Sequence, residues 1–170
     1  MIVARGRETS RVGIGYDSHR FSPGGPLILG GVSIPVEFSL IGHSDGDAVA
    51  HAVTDALLGA AALGDIGEMF SDEDPDNQGR DSIEMLRAAV ARVGEHGWRA
   101  VNADITVVAE TPRIGEYRTA MRAHLAEALG VPMVNVSVKG KTNERMGWVG
   151  RGEGLACIAV VMLVAAPQPG

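Results

Sequence analysis

Three side chains in the first part of the sequence carry the donor atoms of a divalent-metal site: Asp17, His19 and His51. Asp17 and His19 are two residues apart, and on an extended segment such residues project to the same side, so a carboxylate oxygen and an imidazole nitrogen can meet one ion. His51 lies in an Ala- and Leu-rich stretch of strong helix propensity, with Asp47 and Asp55 one turn to either side. Three ligands of N and O type leave tetrahedral zinc one open position, as catalysis requires and a structural site avoids. Plainer readings fit the same residues. An Asp-x-His pair arises often by chance, and a histidine in an Ala-rich helix is often only packed. Asp17 suits a turn-capping carboxylate, and Asp47 and Asp55 suit helix capping and solvation.

The elements that must position these groups follow from the hydropathy pattern. Val12, Ile14 and Tyr16 alternate with glycines and predict a strand over 11–16, with Asp17 and His19 following at its end. The segments 27–29 and 32–34 flank Gly30-Gly31, the pair a tight hairpin needs. A first helix runs from the His43-Ser44-Asp45-Gly46-Asp47 stretch to about Leu63, with Ser44 or Asp45 as its cap. Residues 65–77 read as an acidic loop that Pro75 keeps from being helical. A second helix starts near Ser82, with Ile83, Leu86, Val90 and Val93 at helical spacing. Alternation over 101–107 predicts a central strand. A third helix is expected to Leu129, with Thr111 as cap, Pro112 in its first position and Gly130 as its stop. Two further strands, over 134–139 and 155–164, enclose the polar connection 140–154. This order predicts an α+β single domain, a mixed β-sheet with helices on one face in a split βαβ arrangement. The other face is expected to be buried against copies of the chain.

Composition sets outer limits. With 170 residues, 45% of them hydrophobic and 21% charged, the chain suits one compact domain. A net charge of -6 argues against general affinity for nucleic-acid phosphates, so an anionic small ligand needs local counter-charge, which a bound metal supplies. Cys157 is the one cysteine, within an apolar run, so a buried thiol in a reducing cytoplasm is expected and no intramolecular disulfide can form. Residues 1–10 lack an apolar stretch of signal-peptide length and are expected as a disordered extension, 11–165 as the domain and 166–170 as a tail. The longest apolar run is too short to cross a bilayer, and no membrane partner is expected.

Taken together, Gly15-Tyr16-Asp17-Ser18-His19, His43-Ser44-Asp45-Gly46-Asp47 with His51, Asp65-Ile66-Gly67 and Gly150-Arg151-Gly152-Glu153-Gly154 closely resemble one enzyme family, the 2-C-methyl-D-erythritol 2,4-cyclodiphosphate synthases. The resemblance runs in order from about Val12 to Val164. It implies a lyase of non-mevalonate isoprenoid synthesis that converts 4-diphosphocytidyl-2-C-methyl-D-erythritol 2-phosphate to the cyclodiphosphate and CMP. It further implies a homotrimer with active sites between subunits, zinc on Asp17, His19 and His51, and Mg²⁺ or Mn²⁺ on Glu144 with the diphosphate. By the same resemblance His43 and Thr142 contact phosphates and stabilise the transition state. Ser44, Asp65, Ile66 and Gly67, with the neighbouring loop Phe70, Ser71, Asp72, Glu73 and Asp74, match positions that bind substrate. Ala109, Glu110, Thr111, Pro112, Arg113, Ile114 and Gly115 match the cytidine and diphosphate pocket, as do Gly140, Lys141 and Asn143. Trp148 and Arg151 match positions near the trimer axis, where Arg151 and Glu153 pairing between subunits is an alternative. Lys141 and Asn143 stand where a Thr run is familiar, Arg113 where Lys is frequent and Trp148 where Phe is familiar. The competing functions are a metal-dependent phosphohydrolase, in which the open zinc position activates water, and a non-catalytic nucleotide-binding protein.

Overall fold

The structure, a computed structural model, describes residues 10–42, 44–71 and 74–167. The expected extension therefore lies outside the described residues except for Ser10, and the expected tail except for Ala166 and Pro167. The first strand, β1 (Ser10–Pro23), is far longer than its alternating apolar segment, so Asp17 and His19 lie within it and not beyond its end. Two neighbours sustain it: β7 (Gly154–Ala165) pairs antiparallel with it from Ser10 to Arg20, and β4 (Phe38–Leu40) continues at Phe21. β4 was not legible in the pattern because it is only three residues long and, unlike 27–29 and 32–34, has no glycine-pair turn beside it.

The main sheet has the order β4-β1-β7-β5-β6, where β5 is Trp98–Val108 and β6 is Val136–Lys141. β7 runs antiparallel to both β1 and β5, so these two are parallel to each other with β7 inserted between them, the split arrangement. β5 and β6 are parallel neighbours joined through a helix. The register of β5 against β7 shifts between Ala100 and Asn102, leaving Val101 out of the alternation expected there. β2 (Leu27–Leu29) and β3 (Val32–Ile34) form the separate hairpin around Gly30 and Gly31, both at positive φ.

Helix α1 (Ala48–Ala61) is buried on nearly every side, lying across β1 and β7 and against α3 (Ser82–Glu95). Its cap is Asp47, not Ser44 or Asp45, because the Asp47 carboxylate alone reaches the first free amides, those of Val49 and Ala50. The acidic segment is not all loop: it contains the short α2 (Ile66–Met69), and Pro75 opens a single 3₁₀ turn. The third long helix, α4 (Arg118–Leu129), begins six residues after Pro112. The intervening chain instead makes a 3₁₀ turn over Ile114–Glu116, pinned by the buried Ile114 side chain against Gly140. Gly130 ends α4 in the left-handed conformation, as expected. A one-turn helix, α5 (Gly147–Gly150), precedes β7.

Helices cover the face carrying Ala103, Ile105, Val107, Cys157, Ala159, Val161 and Leu163. On the opposite face Val12, Ile14 and Tyr16 are 66%, 71% and 55% exposed, beside Ile158 and Val160 of β7. Among the described residues no helix is long and apolar enough to cross a membrane.

Candidate metal centre

Two glycines bring the donors together. Asp17 and His19 occupy the helix-facing side of β1 in the same row as Gly13 and Gly15. A Cβ on Gly15 would stand 1.9 Å from the Ala52 carbonyl oxygen, and one on Gly13 2.0 Å from that of Ala56, so only glycine lets α1 rest on the strand backbone. That approach carries His51, next to Ala52, onto Asp17, with Nδ1 3.1 Å from Oδ2. His19 Nε2 lies 2.7 Å from the same oxygen but is not aligned for a hydrogen bond; buried, it has no hydrogen-bond partner among the described residues. One ligand atom from each of the three lies within 4.8 Å of the others. An unpartnered buried polar atom is costly, and a cation shared by the three donors removes that cost, so the residues fit a divalent ion.

The outer hydrogen bonds orient both rings. His19 Nδ1 is 2.6 Å from the Ile41 carbonyl oxygen, which can only accept; Nδ1 therefore carries the proton, and the Nε2 lone pair points at the cluster. His51 Nε2, on the far side from Asp17, is 2.9 Å from the hydroxyls of both Ser44 and Ser82. Burial pushes the Asp17 carboxyl up, but the two imidazoles beside it outweigh this and hold it well below the usual carboxylate range. Burial pulls the His19 imidazole down, and the adjacent Asp17 carboxylate more than reverses this, raising it.

Asp47 and Asp55 stay out of the cluster. The Asp47 carboxylate is fully buried and accepts the amides of Gly30 at 2.8 Å, Gly31 at 2.6 Å, and Val49 and Ala50 at 3.0 Å each. Burial nevertheless raises its proton affinity. Asp55 accepts the Ile66 amide at 2.8 Å and so ties α2 to α1.

Many of the remaining sequence-derived residues line three concavities. Beside His51 a cavity of about 180 Å³ is lined by Ser44, Ile66, Gly67, Phe70, Asn77 and Met85. Asp65 borders it as the cap of α2, accepting the Glu68 amide at 2.8 Å. Ser71 accepts the Asn77 side-chain amide at 3.0 Å, and Asp74 donates its backbone amide to the Ser71 carbonyl at 3.1 Å. On the other side of His19 a hollow of about 200 Å³ involves Ser18, Arg20, Trp148 and Glu153. Arg151 pairs with Glu153 at 2.6 Å within the chain.

A concavity of about 300 Å³ opens at the carboxyl ends of the parallel strands β5 and β6. Ala109, Glu110, Pro112, Arg113, Ile114 and Gly115 line one side, and Gly140, Lys141 and Thr142 the other. Thr111 and Pro112 lie there, joined by a cis peptide bond, and neither serves as helix cap or first turn, since α4 starts at Arg118. Glu110 accepts the backbone amides of Asn143 and Arg145 at 3.0 Å each, which shapes the turn carrying Glu144. Thr142 donates to the Glu144 carboxylate at 3.1 Å. His43, Asp72 and Glu73 lie outside the described residues. Sequence reasoning missed Asn77, Met85 and Arg118, which line these cavities. Arg118 was hidden inside a helix expected to start earlier, whereas Asn77 and Met85 carry no signal apart from the fold.

A sequence model described as the YgbB family matches residues 10–164. The 2-C-methyl-D-erythritol 2,4-cyclodiphosphate synthase of Gemmatimonas aurantiaca is 61% identical over 155 residues, covering 91% of this chain and 93% of the relative. Among solved structures, the bifunctional IspDF from Campylobacter jejuni superposes with a TM-score of 0.89 at 40% identity, over 92% of this chain and 42% of that longer one. The CDP complex of IspF from Plasmodium falciparum gives a TM-score of 0.82 at 32% identity, over 95% of this chain and 100% of the other. Since the match takes in every strand and helix from β1 to β7 and the identity extends over nearly the whole length, the chain belongs to the YgbB family of 2-C-methyl-D-erythritol 2,4-cyclodiphosphate synthases.

Proposed function

We propose that the chain cyclises 4-diphosphocytidyl-2-C-methyl-D-erythritol 2-phosphate to 2-C-methyl-D-erythritol 2,4-cyclodiphosphate with release of CMP, a step of non-mevalonate isoprenoid synthesis. The observation that carries this reading is the convergence of Asp17, His19 and His51 within 4.8 Å, on rigid elements. The relative with CDP bound supports a cytidine nucleotide as part of the ligand.

In this reaction an oxygen of the substrate's 2-phosphate attacks the β-phosphorus. The bond from that phosphorus to the oxygen shared with the α-phosphorus breaks, and CMP leaves with that oxygen. The substrate brings its own nucleophile, so the residues position and neutralise. Asp17, His19 and His51 hold zinc, which when bound supplies Lewis-acid polarisation of the β-phosphate. Glu144 offers the hard oxygens that suit Mg²⁺ or Mn²⁺. Arg113, Arg118 and Lys141 bring positive charge to the cavity at the ends of β5 and β6, where the cytidine diphosphate binds. His43 and Thr142 donate to phosphate oxygens as charge develops. Asp65, Ile66, Gly67 and Ser44, with the loop Phe70, Ser71, Asp72, Glu73 and Asp74, take the methylerythritol end.

The protein acts in the cytoplasm as a homotrimer with active sites between subunits. The exposed stripe Val12, Ile14, Tyr16, Ile158 and Val160 supports assembly, because an apolar patch of that kind is stabilised by a partner surface. Trp148 and Arg151 stand near the threefold axis.

Phosphorus NMR of the purified protein with the substrate, zinc and magnesium tests the activity. CMP and a cyclic diphosphate are expected; CMP with a linear phosphorylated product would assign a phosphohydrolase, and binding without turnover a nucleotide-binding protein. His51→Ala should lose zinc and turnover while keeping its oligomeric state by sedimentation, and an unchanged zinc content would refute the ligand set.

A further inference from the structure

Behind His51, away from the metal cluster, lies a chain of hydrogen bonds that the residues singled out by sequence do not explain. Ser82, the fully buried first residue of α3, donates its hydroxyl proton to Asp45 Oδ1 in a short contact and its backbone amide to Asp45 Oδ2 at 3.1 Å. The Asp47 amide also donates to Asp45 Oδ1, at 3.1 Å. An ionised carboxylate only accepts, so the single Ser82 hydroxyl proton is committed to Asp45. Toward His51 Nε2, 2.9 Å away, the Ser82 oxygen can then act only as an acceptor.

That direction matters for metal binding. An ion held by His51 takes the Nδ1 lone pair, on the side of Asp17, and leaves Nε2–H as the remaining ring proton. We infer that Asp45 and Ser82 are positioning residues for the metal centre: Asp45 fixes the Ser82 hydroxyl so that Ser82 accepts the His51 Nε2 proton and orients the ring for metal ligation. The inference rests on the reading of Asp17, His19 and His51 as ligands.

Ser44 also stands 2.9 Å from Nε2, but among the described residues its hydroxyl has no carboxylate behind it. It accepts the Gly46 amide at 3.3 Å and lies 3.2 Å from Ser82 Oγ, so its own proton can be given to either neighbour. Among the described residues only Ser82 is an obligatory acceptor. The same Asp45–Ser82 link ties the turn before α1 to the start of α3, so the orientation of the His51 ring is registered against two helices. His19 is served differently, by the Ile41 backbone carbonyl, which no side-chain substitution removes.

Zinc affinity, measured by competition with a chromophoric chelator, and the solvent exchange of His51 Nε2–H, measured by proton NMR on the zinc-loaded protein, test this together. Removing an outer-shell partner of a metal-bound histidine weakens metal binding about 10–100-fold. Ser82→Ala and Asp45→Asn are expected to weaken zinc binding by that factor and to accelerate Nε2–H exchange. Ser82→Thr, which keeps the hydroxyl, should restore both, and the His19 Nδ1–H signal should be unchanged throughout. Zinc affinity within twofold of the parent in Ser82→Ala would overturn the inference. So would weaker affinity with a still-protected Nε2–H, since Ser44 would then be the acceptor and Ser82 a packing residue. If the parent protein binds no zinc, it is the ligand reading that fails, which the parent titration alone reveals.

Discussion

The metal cluster and the large cavity at the ends of β5 and β6 are built in opposite ways. The cluster sits on a seam where helix α1 touches strand β1 backbone to backbone, and its ligands are placed by Gly13, Gly15 and Asp47, none of which meets an ion. The cavity is bounded by two connections, 109–117 and 142–146, held by a side chain, Ile114, and a carboxylate, Glu110. At the seam an added atom has nowhere to go; at the cavity a flexible side chain can yield. Precision at the donor cluster comes from regular elements, and the room at the ends of β5 and β6 comes from loops.

The sharpest way to break this contrast is Gly15→Ala, whose Cβ would meet the Ala52 carbonyl at 1.9 Å. Overpacking against backbone is expected to cost about 3 kcal/mol in urea unfolding and to weaken zinc binding at the same time. Asp47→Ala comes next, at about 2 kcal/mol, from a lost cap and buried amides left unpaired; a loss below about 0.5 kcal/mol would show that water replaces the carboxylate. Gly140→Ala is the counterpart on the cavity side. Its Cβ would meet the movable Ile114 Cγ1 at 2.9 Å, so stability should fall by less than about 1 kcal/mol while CDP affinity, measured by calorimetry, drops. Equal destabilisation by the two glycine substitutions would erase the distinction.

The smallest effect belongs to a pair on the open sheet face. Lys139 lies 2.6 Å from Asp104, and its hydrogen bond holds the Asp104 carboxyl below its ordinary value of 3.8. Such a group stabilises the fold above its unfolded-state value and loses that contribution as pH falls through the lower folded-state value. Asp104→Asn should therefore cost about 0.5 kcal/mol at neutral pH, as expected of a partly exposed pair, and nothing once both carboxyl states are protonated. Urea unfolding at the two pH values measures the difference.

The donors themselves were legible because a metal site needs particular side chains, and Asp17, His19 and His51 announce theirs. What held them was not. In the pattern of β1 the apolar residues Val12, Ile14 and Tyr16 look like the core face, yet they point outward, and the glycines that seemed to weaken the strand form its inner surface. Close backbone packing outweighs apolar burial there, and no alternation rule registers that. The capping role of Asp47 was one reading among several, because Ser44, Asp45 and Asp47 are all competent caps within four residues and only the path of the chain selects among them. Around the large cavity, Thr111-Pro112 imitates a helix start, but the buried Ile114 draws the segment into a turn and displaces α4 to Arg118. Local signals failed where a single tertiary contact was decisive.

Asp47 also bears on how the molecule opens. Its two oxygens accept amides from the hairpin tip, Gly30 and Gly31, and from the first turn of α1, Val49 and Ala50. Separating the hairpin from the helix strips the Gly30 and Gly31 amides of their acceptor and exposes the buried Asp47 carboxylate at once, so these distant stretches of chain form one cooperative opening unit. The stretch of α1 bearing His51 is thus latched from outside the metal site, by a hairpin more than fifteen residues earlier in the sequence.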